Sequence, residues 1–344
     1  TRALISAQAS RHLESLDPDK LSPETGTKVA LAFRQLGLVS QGQGRPDEAL
    51  QAFQRSHGIL SQLHNKYPDT PELLFELGNA EYYIGALHFE QGRYEKARAS
   101  WLNYHHLTGD LLATDPQNPD WILELAYSHT NLAALPLESG KGINEETLKH
   151  VAEATRLKEL VMALKPGDRA VAGSYANTLA WAADAQYQAC SLEEALKLRI
   201  RAKELFESSA RADPGNYDLK RKYAFAVSGV ASVQTVTGRL ELAEQNLELA
   251  ISILQELSAT DPSNIVYLEQ EFYERLMMAK LYADTGRLES ATSIMKRLES
   301  EFFPSAGMND QGKMPRKYGV EFFLVLADIE SQNGNLESAK KRLQ

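Results

Sequence analysis

Histidine, cysteine and paired carboxylates are the side chains here whose types and spacing could do chemistry. The chain holds eight His and one Cys. His57 and His64 stand two helical turns apart, so both imidazoles could face the same way. A metal would need further ligands from a neighbouring helix, and none is signalled; a pair on a solvent edge is the plainer reading. His12, His88, His105, His106, His129 and His150 are scattered. Cys190 precedes a helix start, but Glu193 and Glu194 oppose formation of a thiolate there. The pairs Glu145-Glu146 and Glu193-Glu194 fall where helices begin, and the helix dipole accounts for them. The sequence contains no Gly-x-Ser-x-Gly elbow, no phosphate-binding loop ending in Lys-Ser/Thr and no His-Glu-x-x-His. It therefore points to no catalytic residue, no metal and no cofactor.

Composition narrows the classes further. Hydrophobic residues make up 43% of the 344, enough to bury a core. Lys and Arg number 37 against 46 Asp and Glu, a net charge of −9. That balance argues against a polyanion-binding face, which is built from clustered Lys and Arg. Mean hydropathy is −0.37, and no apolar run reaches the length of a membrane span. One Cys excludes an internal disulfide.

What must position these residues is a repeat. Gly44, Gly92, Gly142, Cys190, Gly238, Gly286 and Gly334 open seven similar segments, spaced 48 residues apart with a single step of 50. Tyr67-Pro68, Asp115-Pro116, Lys165-Pro166, Asp213-Pro214 and Asp261-Pro262 form a second marker in the same phase. Between markers, small residues recur at steps of seven, as in Gly78, Gly85, Gly92 and in Ala224, Ala231, Gly238. Seven residues are two helical turns, so these line one stripe along which a second helix can approach closely. The Gly ending each stripe suits a helix C-terminus of positive φ, and the X-Pro marker stops the next helix. Each unit reads as two antiparallel helices of about 20 residues, roughly 30 Å long.

These features resemble the tetratricopeptide repeat (TPR) superfamily. Gly37, Gly44, Ala49 and Phe53 carry the spacing of that motif's small, turn, alanine and aromatic positions. Gly85, Gly92, Ala97 and Trp101 do the same, followed by Ala231, Gly238, Ala243 and Leu247. The family's 34-residue unit lengthened by one heptad on each helix gives the 48-residue period and keeps each buried face in phase. The resemblance covers essentially residues 1–344 and implies an all-α, right-handed α-solenoid. It would comprise an orphan helix at 1–19, hairpins at 22–68, 69–116, 117–166, 167–214, 215–262 and 263–303, and a truncated hairpin at 316–344. Ends that fall within hairpins read as a piece of something longer.

In that family the first helices line a groove. Carried over, the groove positions include Asn79, Tyr82, Phe89, Tyr127, Asn177, Tyr187, Phe225 and Tyr273. Asn can bond both backbone groups of an extended peptide, and aromatics supply rigid contact area. The competing reading is that the lengthened helices bury these residues against the next hairpin. The expected function is a non-catalytic protein- or peptide-binding scaffold, resembling the regulatory or sensing arrays attached to bacterial kinases and transcription regulators. The partner would be a polypeptide, with no nucleic acid and no membrane insertion, in the cytoplasm, or in the periplasm should a membrane segment lie upstream. The alternatives are an RNA-binding helical repeat and self-association through open array ends.

Two places break the period. Pro136, in the segment 135–141, should kink or end its helix early. The segment 303–315 replaces the end of a second helix with a loop, expected to be mobile or to reach towards the groove. Phe272 stands where Ala30, Gly78, Ala126, Ala176 and Ala224 stand in earlier units. Residues 265–344 are therefore expected to form a distinct C-terminal portion with wider or differently angled packing.

Overall fold

The computed structural model describes residues 22–138, 142–302, 318–335 and 337. The expected orphan helix, the 303–315 loop and the final residues of the last hairpin lie outside them. The described residues form thirteen helices and no strand. They are α1 (Pro23–Gly42), α2 (Pro46–Lys66), α3 (Pro71–Glu90), α4 (Tyr94–Thr114), α5 (Pro119–Glu138), α6 (Glu145–Leu164) and α7 (Arg169–Gln188). Then come α8 (Leu192–Ala212), α9 (Tyr217–Val236), α10 (Leu240–Thr260), α11 (Ile265–Asp284), α12 (Leu288–Phe302) and α13 (Gly319–Gln332).

Helix ends follow from local chemistry. At Ser22, Asn144, Asn216 and Asn264 a side-chain oxygen accepts a first-turn backbone N–H. Gly44, Gly92, Gly238, Gly286 and Gly334 all sit at φ between 69° and 82°. At each the following residue's N–H reaches back five residues, as Arg45 N does to Ser40 O at 2.9 Å. This left-handed residue closes a helix by satisfying its last carbonyls. Cys190 adopts the same conformation at φ 59°, the one non-glycine among the described residues to do so. Its turn keeps the same hydrogen bonds, Cys190 N to Tyr187 O and Ser191 N to Gln186 O. The thiol is exposed.

Of the two expectations for Pro136, a kink or an early end, the early end is not met. The helix α5 neither ends before it nor is shortened; it runs to Glu138 at 20 residues, the length of α1 and α3. In the last turn a missing N–H removes one hydrogen bond near an end that is already loosely tied.

The chain divides into two compact units, 1–178 and 179–344. In the first, α1 packs on α2, α3 on α4 and α5 on α6, with α2 on α3 and α4 on α5 joining successive hairpins. The waist of each of the first two hairpins is a glycine facing a large residue sixteen positions later. A Cβ on Gly37 would lie 2.4 Å from the Phe53 ring, and one on Gly85 would lie 2.4 Å from the Trp101 indole. Both rings are buried, and such contacts leave no room for a methyl group.

The second unit repeats the pattern through α8 on α9, α9 on α10, α10 on α11 and α11 on α12. Ala231 and Leu247 share a buried cluster with Ala243, Met278 and Leu281. Ala279 and Met295 lie buried in another. First helices also meet one another, α9 with α11 and α11 with α13. Phe272 is fully buried, its ring 4.9 Å from that of Phe302 and 5.9 Å from that of Phe322. The same phase one unit earlier carries Ala224, packed with Leu254 and Leu257. The larger residue is thus matched by Phe302 where Leu254 stood.

Glu274 is a buried charge in this packing. It is 4% exposed, Ser228 of α9 hydrogen-bonds to it, and its Oε2 has no partner. Burial pushes its pKa up from 4.5 to about 7.

Three outcomes follow from these contacts. Ala231→Leu should overpack the α9–α10 waist and cost about 1–3 kcal/mol in chemical denaturation; an unchanged midpoint would contradict that close crossing. Cys190→Gly should relieve the left-handed strain and add about 1 kcal/mol by the same measurement. The unfolded chain ionises Glu274 at its ordinary pKa while the folded chain holds the proton to about pH 7. The penalty is therefore complete above pH 7 and absent below about 4.5. Glu274→Gln should add on the order of 1–3 kcal/mol at pH 8 and little at pH 4.5. Equal gains at both pH values would disprove this.

Candidate functional site

The eight carried-over positions lie on the first helices of their hairpins, but their surroundings differ. In the first unit, Tyr82 of α3 is half-buried, with its ring 5.1 Å from Tyr83 and 5.8 Å from Tyr104. Burial, with nearby phenols and carboxylates, raises its pKa. The Trp101 Nε1–H donates to the Tyr82 carbonyl at 3.3 Å. Phe89 packs 5.1 Å from Trp101 and 5.7 Å from Tyr94, beside a cluster containing Leu132 and Leu135. Tyr127 of α5 is half-buried, the Lys158 Nζ standing 4.5 Å from its ring centroid and the Ser174 hydroxyl donating to its OH at 3.3 Å. Asn79 is half-buried, whereas Asn177 is exposed.

In the second unit, Tyr273 rests 4.9 Å from Tyr318, and burial together with Glu321 and Glu274 pushes its pKa to about 12. Tyr187 is exposed, and Phe225 is 57% exposed. Tyr82, Phe89, Tyr127 and Tyr273 are thus engaged within their units, Asn79 is half-buried, and Asn177, Tyr187 and Phe225 remain open to solvent.

The open residues belong to a stripe that repeats. On α7 it passes through Trp181, Asp184 and Gln188; on α9, 48 residues later, through Gly229, Ser232 and Val236, with Phe225 one turn before. Trp181 is 40% exposed and Val236 52%. Steps of three and four residues put these on one face of each helix.

Between the helices stands Arg199 of α8. It occupies the phase filled by Phe53, Trp101, Leu247 and Met295 in other hairpins. Its side chain is 11% exposed and pairs with the Asp184 carboxylate. A Cβ on Gly229 would meet its guanidinium at 2.8 Å. Gly229 therefore leaves the space through which Arg199 reaches the stripe. Burial raises the Asp184 pKa, and the guanidinium opposes that rise. Arg199 belongs to no motif of the sequence, and its phase relative to Leu247 is the one signal that marks it.

Three of the scattered histidines come together in the first unit. His105 of α4, His129 of α5 and His150 of α6 have ring centroids 4.6, 5.0 and 5.9 Å apart. The Nδ1 atoms of His129 and His150 lie 2.8 Å apart, and Nδ1 of His105 lies 2.9 Å from the Ser128 Oγ. Burial lowers the pKa of all three, that of His129 to about 4. Sequence spacings of 24 and 21 conceal a meeting that depends on three helices packing in order. Among the described residues, no group of three or more His, Cys, Asp or Glu is placed to hold a metal ion. His57 joins the buried Glu81 at 3.2 Å instead, and Asn103 donates to the same carboxylate at 3.0 Å.

His150 also lines a cleft of about 200 Å³, with Tyr94, Arg98, Leu132, Asn144 and Glu146 among its walls. Arg98 and Glu146 pair across it at 3.2 Å. Elsewhere in the unit, Lys158 is buried, donates to the Thr178 hydroxyl at 2.7 Å, and has its pKa lowered by burial to about 8. Among the described residues, no helix is long and apolar enough to cross a membrane.

No family model matches the chain, and no curated protein matches it. Solved structures do. The chain is similar to a signal-transduction ATPase with numerous domains that carries a tetratricopeptide repeat sensor, from Pyrococcus horikoshii. That match has 13% identity and a TM-score of 0.60, over 93% of this chain and 43% of that one. It is similar to the apo form of RapI, with 12% identity and a TM-score of 0.57 over 91% and 94% of the two chains. The nuclear import adaptor Nro1 of S. pombe matches with 12% identity and a TM-score of 0.54, over 88% and 98%. At such identities the likeness is one of fold. Paired helices, a 48-residue period, left-handed turn residues and these neighbours together show an all-α, TPR-like helical-repeat fold.

Proposed function

We propose that this chain is a non-catalytic scaffold that binds a polypeptide partner, serving as the regulatory or sensing module of a larger signalling protein. The observation that carries this reading is the open stripe of the second unit. Trp181, Tyr187, Phe225 and Val236 leave large apolar surface in water on first helices. The charged pair Arg199–Asp184 lies beside them. Aromatic anchors next to a desolvated Arg are the composition of interaction hot spots. A net charge of −9 opposes the RNA-binding alternative. The neighbours agree in kind, one carrying a repeat sensor and another being an import adaptor.

The test begins with peptides selected from a displayed random library against the purified chain. Titration of the selected peptides should show at least a tenfold loss of affinity for Phe225→Asp, with little change for Leu249→Asp, an exposed site on a second helix. Equal affinity for the two variants would remove the stripe from the binding surface. Submicromolar binding to single-stranded RNA, falling steeply with salt, would favour the nucleic-acid alternative. A mass rising with concentration in sedimentation, and lowered by Phe225→Asp, would favour self-association.

A further inference from the structure

The imidazole cluster of the first unit has no part in the stripe, and its geometry sets a limit on protons. Two Nδ1 atoms 2.8 Å apart can share only one hydrogen. One ring donates and the other accepts. When both rings carry two protons, an N–H faces an N–H, and two positive charges meet with ring centroids 5.0 Å apart. His105 adds a third imidazole 4.6 Å from His129. The His129–His150 contact is therefore made by a pair that is neutral or singly charged.

From the close imidazole contact that ties α4, α5 and α6 together, we infer that the cluster is an acid-sensitive latch between the second and third hairpins.

The groups around the latch set its working range. On α4, Arg98 and His106 face it as cations or potential cations. On α6, Glu146 lies 3.9 Å from the His150 Nε2 and favours its protonation. Also on α6, Glu153 favours a charge on His129 and Arg156 opposes it, and those two hold each other at 2.6 Å. The Glu146 charge is itself shared with Arg98. Ser128 of α5 contributes a neutral hydroxyl to His105. The sign follows from the lowered pKa values. The unfolded chain takes up these protons near pH 6.5, while the folded chain resists until about pH 4 at His129. The latch is complete above pH 6.5 and is lost as pH falls from there towards 4. Its release would loosen α5 two residues from Tyr127.

The raised carboxyl groups Glu124, Asp184 and Glu274 act in the opposite sense, so the latch is read by difference. Melting temperatures would be measured from pH 7.5 to 5.0 for the full chain, His129→Phe and His150→Gln. The fall across that range should shrink by half or more in both variants. Amide exchange at pH 5, corrected for its intrinsic rate, should quicken in α4–α6 more than in α9 and α10. Parallel melting curves for all three proteins would overturn the latch. If either variant fails to fold, imidazole NMR of the unaltered chain decides alone. Depressed and mutually coupled titrations of His129 and His150 support the latch; two independent titrations near pH 6.5 refute it.

Discussion

The structure depends on one contact, a residue with little or no side chain held against a large one sixteen positions later. Gly37 beneath Phe53 and Gly85 beneath Trp101 show how tight it is, since a single methyl at either glycine would overlap the ring. That contact sets how closely the two helices of a hairpin can lie. With Ala231 and Leu247, or Ala279 and Met295, the same fit is made with smaller partners. The turn glycine, one heptad after the small residue, then closes the first helix, so packing and chain reversal are written in the same phase.

This explains why the architecture was legible in the residues. Spacings of seven, sixteen and forty-eight are properties of the chain, and each has one local meaning. The site was less legible, because exposure depends on what the next hairpin supplies. Tyr82 and Phe89 satisfy the groove pattern yet stack on Tyr104 and Trp101, whereas Phe225, at the same register as Asn79 and Tyr127, stays in water. No pattern within a single helix separates these cases. Arg199 was legible in principle, as a charge in a phase otherwise aromatic or aliphatic. The meeting of His105, His129 and His150 was not, since no fixed interval joins them.

Buried ionisable groups recur where hairpins adjoin. Glu81 with His57 and Asn103, Lys158 with Thr178, and Glu274 with Ser228 each join a helix to a neighbouring one. An apolar pair at such places would hold as firmly in many proteins. A charged or protonatable group there additionally makes the junction depend on pH, as the raised pKa of Glu274 illustrates.

The nearest-neighbour character of the packing has a mechanical meaning. Helices in each unit touch chiefly those adjacent in sequence, so a hairpin can open without breaking contacts far along the chain. An opened module of 48 residues extends to roughly 160 Å at about 3.4 Å per residue. Under tension such a chain would lengthen in even steps, yielding slack in units of one repeat and taking it back as each hairpin closes again.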